Sequence, residues 1–266
     1  MRNLLRIGLG LLLANNIATF ALQYVISTIA GRGAPLFQPS ALSAAIVPNG
    51  IAVDTAGNIY FSSKNAVYRL DSSGGLTRVA GGYEAGCAGD GGPAMNAQLN
   101  GPTAVAVDVA GALYIADVGN NRIRKVSPDG VITSFAGNDN PVCGSSGVST
   151  VNAQFKYLLG LAVDVAGAVY IADWSSLGTV RKVSGGVVTT LIDNLGVTGV
   201  AADAAGNVYI TGDGITKLAP NGVVSTVLVS NFFTTSAAVD AAGNVYFASA
   251  GDGREGHPAR RSQHLG

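Results

Sequence analysis

Hydrophobic and polar positions alternate in short runs along most of the chain, and one run recurs five times. Each copy is an apolar segment that ends in aspartate, passes through a glycine-containing turn and returns with a tyrosine, as in AVDTAGNIYF and AVDVAGALYI. Short apolar runs between turn signals are typical of strands rather than helices. The repeated aspartates lie at intervals of 54, 56, 39 and 37 residues: Asp54, Asp108, Asp164, Asp203 and Asp240.

Each copy predicts four short strands. In the first copy these are residues 51–54, 59–62, 66–70 and 76–80. The two shorter intervals match the roughly 40 to 45 residues of a propeller blade, and four-stranded sheets repeated around an axis form a β-propeller. The predicted fold class is therefore all-β: a β-propeller of four-stranded antiparallel blades, with five recognisable repeats that begin near residues 50, 103, 160, 199 and 236.

The repeat also predicts how each blade turns and packs. The aspartate supplies a side-chain acceptor at the start of the turn, and a glycine, Gly57 in the first copy, allows positive φ. The tyrosines that follow are predicted core residues whose hydroxyls bond backbone groups. An alanine stands two residues before every aspartate, which suits inner strands that crowd around an axis: Ala52, Ala106, Ala162, Ala201 and Ala238.

Residues 89–137 resemble tandem NHL repeats of bacterial exported propellers, through the text GDGGPAMNAQLNGPTAVAVDVAGALYIADVGNNRIRKVSPDGVITSFAG. Weaker copies extend the resemblance over residues 25–250, although the fourth repeat reads ITGDGITKL in place of the IAD…NRIRKV pattern. The resemblance implies a propeller, commonly six-bladed. It implies little about chemistry, because NHL-like propellers bind proteins or RNA, act as sensors or, in a few members, are metal-dependent lyases.

Residues 1–21 are predicted to be a signal peptide. Arg2 and Arg6 precede the apolar run 7–14, and small residues at 18–21 suit cleavage. The predicted location is exported, whether periplasmic, cell-envelope or secreted. An uncleaved anchor is the alternative, but polar residues interrupt the segment, which is shorter than the about 20 apolar residues that a span requires. No stable membrane span is expected after the signal is removed.

The two ends of the propeller carry separate predictions. Residues 22–31 are predicted to be a closing strand, because Val25–Gly31 repeats the fourth-strand text of residues 131–137. Residues 251–266 form an atypical tail that carries both histidines, three arginines and no strand pattern. The fifth blade is thus incomplete, and the favoured hypothesis is that the reading frame shifts or ends early near Gly251, truncating a ring of six blades. A disordered terminus is the alternative.

Blade geometry places the loops between second and third strands on one face, with the inter-blade inserts 83–99 and 138–155, opposite the aspartate turns. Loops on a rigid scaffold are where binding usually occurs. Trp174 is either an exposed anchor for a protein or sugar ligand or a plug beneath an insert. Asp117 and Asp173 are predicted to bond the next loop or to pair with Arg122 and Arg181. A ligand role for these two aspartates is secondary. The candidate ligand-binding residues are Trp174, Asp117, Asn120, Arg122, Asp173 and Arg181.

Two cysteines occupy equivalent positions in the two inserts. Cys87 and Cys143 each lie ten residues before the alanine of an Asn-Ala-Gln sequence. A disulfide between them suits an exported protein, whereas equivalent points on neighbouring blades can exceed the about 7 Å that bridged Cα atoms allow. Both outcomes stay open.

Charge gives no sign of a nucleic-acid partner. Charged residues make up 12% of the chain and the formal net charge is zero, against about 25% charged residues in typical domains. RNA binding also conflicts with the export signal. A cluster of basic residues on the third strands is predicted to be a solvated outer surface: Arg122, Arg124, Lys125, Arg181 and Lys182.

Candidate catalytic residues are few. No histidine precedes His257, so histidine-ligated zinc and a Ser-His-Asp triad are not expected within the propeller. The run Gly89–Pro93 is predicted to be a tight turn rather than a calcium or phosphate loop. No metal or cofactor is predicted. The predicted function is a non-catalytic exported binding scaffold that presents inter-blade loops to a protein or envelope glycan; the alternative is a calcium-assisted propeller lyase or lactonase-type enzyme.

Overall fold

The computed structural model describes residues 46–137, 153–174, 178–229 and 233–249, together with the backbone of Gln263–Leu265. Within these residues the chain forms five antiparallel sheets, and each sheet is built from consecutive strands. The predicted signal peptide, the predicted closing strand at residues 22–31 and residues 251–262 lie outside the described residues.

Each sheet follows the strand order of the chain from the inner edge of the blade outwards. Blade 1 consists of β1 (Ile51–Val53), β2 (Ile59–Ser63), β3 (Ala66–Leu70) and β4 (Leu76–Gly81). Blade 2 consists of β5 (Ala104–Val107), β6 (Leu113–Asp117), β7 (Arg122–Val126) and β8 (Ile132–Gly137). Blade 3 consists of β9 (Leu158–Val163), β10 (Val169–Asp173), β11 (Thr179–Ser184) and β12 (Val187–Asp193). Blade 4 consists of β13 (Gly199–Ala202), β14 (Val208–Gly212), β15 (Gly214–Leu218) and β16 (Val224–Val229). Short 3-10 turns stand at Ala94–Asn96 and Val118–Asn120.

The last blade has a third strand that the sequence pattern did not indicate. Blade 5 consists of β17 (Thr234–Val239), β18 (Val245–Ser249) and β19 (Gln263–Leu265). The backbone of β19 pairs antiparallel with β18, Val245 opposite Leu265 and Phe247 opposite Gln263. The prediction that residues after Ala250 contribute no strand is therefore wrong for 263–265, because strand pairing needs only backbone groups and a three-residue strand carries too little alternation to be recognised.

The blades stand side by side around a common axis. Inner strands of consecutive blades contact one another in the order β1, β5, β9, β13 and β17. A hydrophobic cluster fills each interface between neighbouring blades, such as Val67, Leu99 and Ile115 between blades 1 and 2. Among the described residues, no packing of similar extent joins β17 to β1. Residues of both strands nevertheless line one central cavity, which confirms the propeller arrangement that the repeats predict.

One hydrogen-bonded turn holds the lower edge of every blade. In blade 1, Asp54 Oδ1 accepts the N–H groups of Ala56 and Asn58 at 2.9 and 2.8 Å. Asp54 Oδ2 accepts the hydroxyl of Tyr60 at 3.4 Å, and Gly57 takes a φ of 82°. The other four turns repeat these bonds, with tyrosine-to-aspartate distances between 2.9 and 3.3 Å. The tyrosine hydroxyls thus bond the turn carboxylates rather than the backbone groups predicted for them.

The alanines two residues before each turn lie where the blades converge. Ala106, Ala162 and Ala201 are 5–8% exposed and belong to the inter-blade clusters. Ala238 on blade 5 is exposed. The same repeat position is therefore crowded inside the ring and open on the face of blade 5 that turns away from blade 4.

A larger side chain at the crowded alanine position is expected to destabilise the ring. Ala106→Leu adds three carbons to a packed site, and overpacking of this kind typically costs about 1–3 kcal/mol. Ala238→Leu is the matched control, because the same substitution then occurs at an exposed copy. Urea unfolding monitored by circular dichroism compares the two variants, and equal stability of both would contradict the crowding.

Acid is expected to weaken the turns. Hydrogen bonds from the side chain and backbone of Asn244 hold the pKa of Asp240 below its usual value. A carboxyl with a lowered folded pKa contributes stability above its unfolded pKa of about 3.9, and that contribution is lost as the pH falls through the folded pKa. The melting temperature should therefore decline between about pH 5 and pH 3. Asp240→Asn should flatten the decline, and an unchanged decline in that variant would contradict this origin of the acid sensitivity.

Candidate active site

The insert between blades 1 and 2 rests on a buried cluster of charged side chains, here named the insert cluster: Asp90, Asp117, Arg122 and Arg124. Arg124 Nη2 lies 2.6 Å from Asp90 Oδ1, and Arg124 Nη1 lies 3.7 Å from Asp117 Oδ2. Arg122 lies 3.6 Å from Asp90 and 3.7 Å from Asp117. Both arginines and Asp117 are at most 1% exposed. The cluster is thus an internal ion-pair network.

Hydrogen bonds join the insert cluster to the main chain of the insert. Asn120 Nδ2 donates to Asp117 Oδ2 and to the Gly86 carbonyl, both at 2.7 Å. Arg124 Nη1 donates to the Gln98 carbonyl at 3.1 Å. Burial raises the pKa of Asp117, against the hydrogen bonds and guanidinium groups that lower it. Such a buried carboxylate depends on its partners, because a buried charge without compensation is strongly destabilising.

Blade 3 repeats half of this arrangement. Arg181 Nη2 lies 3.5 Å from Asp173 Oδ2, and the arginine side chain is 19% exposed. Arg181 also donates to the Gln154 carbonyl at 2.7 Å, and its guanidinium carbon lies 5.4 Å from the centre of the Phe155 ring. The Asp173–Arg181 pair thus holds the segment that enters blade 3 against β10 and β11.

The predicted ligand-binding residues therefore fall into three places. Both arrangements that the repeat pattern left open occur: Asp117 accepts a hydrogen bond from Asn120 of the next loop, and aspartate pairs with arginine on both blades. A ligand role for these residues stays a prediction. The insert cluster region holds Asp117, Asn120 and Arg122, the blade 3 pair is Asp173 and Arg181, and Trp174, 39% exposed, stands on the loop face.

The basic third-strand residues do not form the solvated surface predicted for them. Arg122 and Arg124 are buried because the insert folds over β7. Lys125 lies with its ammonium 5.2 Å from the centre of the Tyr114 ring. The strand pattern alone could not show this, since it contains no information about what covers the outer part of a blade.

Only one of the two cysteines of the predicted bridge lies among the described residues. Cys87 is disulfide-bonded. Cys143, its predicted partner, lies outside the described residues, so the bridge between the two inserts stays a prediction.

The inner strands of all five blades surround a cavity of about 460 Å³, here named the axial cavity. Small and apolar residues form most of its wall, and no charged side chain is among the described residues that line it. A narrower space of about 180 Å³ continues along the same strands towards the aspartate turns. The volume of the axial cavity lies in the range of small-molecule sites, about 300–1,000 Å³. Its polar side chains are the amide of Asn49, the hydroxyls of Thr103, Thr235 and Ser236, and the phenol of Tyr246, whose hydroxyl donates to Asp240 Oδ2 at 3.1 Å.

Hydrogen bonds to backbone carbonyls orient the hydroxyls of Thr103 and Thr235. Thr103 Oγ1 donates to the Leu158 carbonyl at 2.6 Å, and Thr235 Oγ1 donates to the Ala248 carbonyl at 3.3 Å. Both oxygens then have only lone pairs left to offer a ligand, so they act as acceptors. The amide of Asn49 brings donors to the same wall.

The axial cavity was not predicted from the sequence, although the repeat carries a signal for it. Five residues before each turn aspartate the residue is polar in four copies, Asn49, Thr103, Thr198 and Thr235, with Leu159 as the exception. Four residues before it the residue is always small: Gly50, Ala104, Gly160, Gly199 and Ser236.

Close approach of the inner strands explains the small position. A Cβ added at Gly160 would lie 2.9 Å from the Cα of Gly199, which is too close for any side chain. Small residues thus let the strands converge while leaving open space above them.

The axial cavity does not fit a calcium ion. Calcium takes six to eight oxygen ligands, with carboxylates prominent among them, and the described lining offers an amide, hydroxyls and backbone groups. In the described part of the chain, no group of three or more His, Cys, Asp or Glu side chains could hold a metal ion. The donor set therefore points away from the calcium-assisted form of the predicted alternative.

Radially arranged four-stranded antiparallel sheets around one axis define a β-propeller. The family model of the teneurin NHL domain matches residues 82–142. This stretch of the chain is therefore similar to NHL repeats, and the fold of the described residues is a β-propeller.

Solved structures of similar fold include enzymes. A gluconolactonase from Xanthomonas campestris is 17% identical, with a TM-score of 0.58 over 78% of this chain and 71% of that one. A streptogramin B lyase is 15% identical, with a TM-score of 0.52 over 80% of this chain and 64% of that one. A putative gluconolactonase is 14% identical, with a TM-score of 0.54 over 82% and 76%. At these identities the likeness shows the fold.

These structures overturn the prediction of a non-catalytic binding scaffold. The propellers that the chain resembles are lactonases and a lyase, which favours the enzymatic alternative. The prediction weighed histidines, nucleophiles and calcium ligands, and it took no account of a cavity whose wall is formed mainly by small residues.

No helix among the described residues combines the length and apolar character that crossing a membrane requires.

Loss of one arginine from the insert cluster is expected to destabilise the protein. Arg124→Ala leaves the carboxylates of Asp90 and Asp117 with less compensation, and breaking a buried pair costs about 3–5 kcal/mol. Arg181→Ala, at the partly exposed copy on blade 3, is the matched control and should cost less. Chemical denaturation measures both, and equal losses would show that burial does not set the strength of these pairs.

Proposed function

We propose that this NHL-repeat propeller is an enzyme of the lactonase or lyase class that takes a small, uncharged cyclic ester into the axial cavity. The observation that carries the proposal is the cavity itself: about 460 Å³ of space on the axis, bordered by all five inner strands. The gluconolactonase and streptogramin B lyase structures support the class, since they share this fold.

The wall of the axial cavity suits a neutral, compact substrate. Apolar side chains such as Val105, Leu161 and Val200 surround the space and favour the carbon skeleton of a ring. The absence of charged groups among its described lining residues disfavours a substrate that bears a full charge, because an unpaired ion is costly in such surroundings.

Polar groups on the same wall can orient the ester. The Asn49 amide can donate to the carbonyl oxygen and stabilise the negative charge that develops there when the acyl carbon is attacked. The lone pairs of Thr103 and Thr235 can accept hydrogen bonds from an attacking water or from substrate hydroxyls. Asn49, Thr103 and Thr235 thus bind and orient the ester and the water, and calcium has no part in this proposal.

Export is part of the proposal. The predicted signal peptide at residues 1–21 directs the chain out of the cytoplasm. The disulfide-bonded state of Cys87 supports this, because disulfides persist in oxidising compartments.

Activity is tested with the full chain on a panel of lactones. Sugar lactones, aliphatic lactones and a cyclic depsipeptide are incubated with the protein, and acid release or ring opening is followed by pH-stat titration and mass spectrometry. Calcium and a chelator are included in parallel reactions. Turnover of at least one lactone that persists in chelator is expected, and no turnover of any of them would refute the proposal.

A cavity-filling variant locates the reaction. Ser236 is exposed at the wall of the axial cavity, so Ser236→Trp should fold normally while reducing kcat/KM at least about tenfold, which corresponds to about 1.4 kcal/mol. Leu159→Trp, from the opposite part of the wall, is a second test. Val224→Trp, at an exposed position of outer strand β16, is the control. Unchanged kcat/KM in both cavity variants would place the chemistry elsewhere.

A further inference from the structure

A second depression lies on the loop face beside the axial cavity, between blades 2 and 3. We propose that it is a carbohydrate-binding subsite. Its volume is about 430 Å³, and it is here named the blade 2–3 groove, lined by Val118, Gly119, Asn121, Phe155, Lys156 and Tyr157.

Two exposed aromatic residues are neighbours here: Tyr157 lines the groove, and Trp174 adjoins it through the backbone. Tyr157 is 60% and Trp174 39% exposed. The backbone N–H of Trp174 donates to the backbone carbonyl of Tyr157 at 2.9 Å. This bond lies directly beyond the paired residues Leu158 and Asp173 of β9 and β10. Facing residues of antiparallel strands have Cβ atoms about 4.5–5.5 Å apart. The tyrosine and the indole therefore start from adjacent points, and exposed aromatic groups gathered in this way mark interaction sites.

The exposed pair is held rigidly from beneath. Asp173 is fully buried, and its Oδ1 accepts the N–H groups of Lys156 and Tyr157, both at 3.1 Å. Arg181 pairs with the same carboxylate and lies over the Phe155 ring. A surface fixed before the ligand arrives loses little conformational entropy on binding. The predicted site residues Asp173 and Arg181 thus act by positioning the groove, without touching the ligand.

The chemistry of the groove matches a sugar. A pyranose ring presents C–H groups on its faces, which pack on the electron-rich faces of aromatic rings, and hydroxyls around its rim. Tyr157 and Trp174 offer such aromatic faces. Asn121, held in the left-handed region at φ 52°, brings an amide, and exposed Lys156 brings an ammonium. An apolar peptide or lipid would leave these polar groups without partners.

One chain segment contributes to both the groove and the axial cavity. Tyr157 lines the groove, and Leu159, two residues further along the same chain segment, lines the axial cavity. A saccharide in the groove would hold an attached ester towards the axis, so the favoured substrate is a lactone or ester that carries sugar residues. This last step rests on the proposed function, whereas saccharide binding by the groove does not.

Carbohydrate binding is tested first on the full chain with an array of immobilised neutral and acidic oligosaccharides. The best-binding soluble oligosaccharide is then titrated by calorimetry and by tryptophan emission, because Trp174 is the only tryptophan of the chain and its backbone is bonded to that of Tyr157 at the groove. Binding with a change in emission is expected. No binding to any saccharide, or binding without a change in emission, would overturn the proposal, as would a preference for peptides.

Variants separate the groove from the rest of the surface. Tyr157→Ala keeps the backbone groups that bond Asp173 and Trp174, and it should weaken saccharide binding at least about tenfold, with Tyr157→Phe close to the parent. Tyr83→Ala is the matched control, because Tyr83 is 97% exposed and does not line the groove. Equal affinity of the Tyr157→Ala and Tyr83→Ala proteins would refute the subsite.

The two proposals can fail separately. Ser236→Trp blocks the axial cavity and should leave the calorimetric affinity for the saccharide unchanged. A protein that binds saccharides but opens no lactone would refute the enzymatic proposal and retain the subsite. A protein that opens lactones equally well with and without Tyr157 and binds no saccharide would do the reverse.

Discussion

The fold depends on one hydrogen-bonded unit, the bond between turn aspartate and returning tyrosine. In all five copies the carboxylate accepts two backbone N–H groups through one oxygen and the tyrosine hydroxyl through the other, as with Asp164, Ala166, Ala168 and Tyr170. The unit fixes the hairpin between the first two strands and anchors a large side chain in the interface with the neighbouring blade. Because the lower edge of each blade is fixed in this way, the upper edge can vary in length and composition.

That division explains where the two proposed sites lie. The first insert, the insert cluster and the blade 2–3 groove are all on the loop face, and the axial cavity opens where the inner strands leave the crowded alanine layer. Buried ions at Asp90, Asp117, Arg122 and Arg124 give the first insert the fixed shape that hydrophobic packing supplies elsewhere. Pairs of this kind contribute geometry more than net stability.

Sequence predicted the repeat and its four-stranded antiparallel blades, because both follow from local periodicity. It could not predict the burial of Arg122 and Arg124, since that depends on the insert folding over the third strand. It also missed the axial cavity. The relevant residues, such as Thr103 and Ser236, are separated by more than a hundred positions in the chain and become a wall only when the ring forms. The last strand, Gln263–Leu265, was missed because its pairing rests on backbone groups.

The short span of the aspartate–tyrosine unit has a consequence for the order of assembly. Its two side chains are six residues apart, so the contact closes within a single hairpin and requires no neighbouring blade. Contacts between residues close in sequence form faster than contacts between distant ones. Each hairpin can therefore form early, as the chain is synthesised. The packing of complete blades against one another is then the later and slower event.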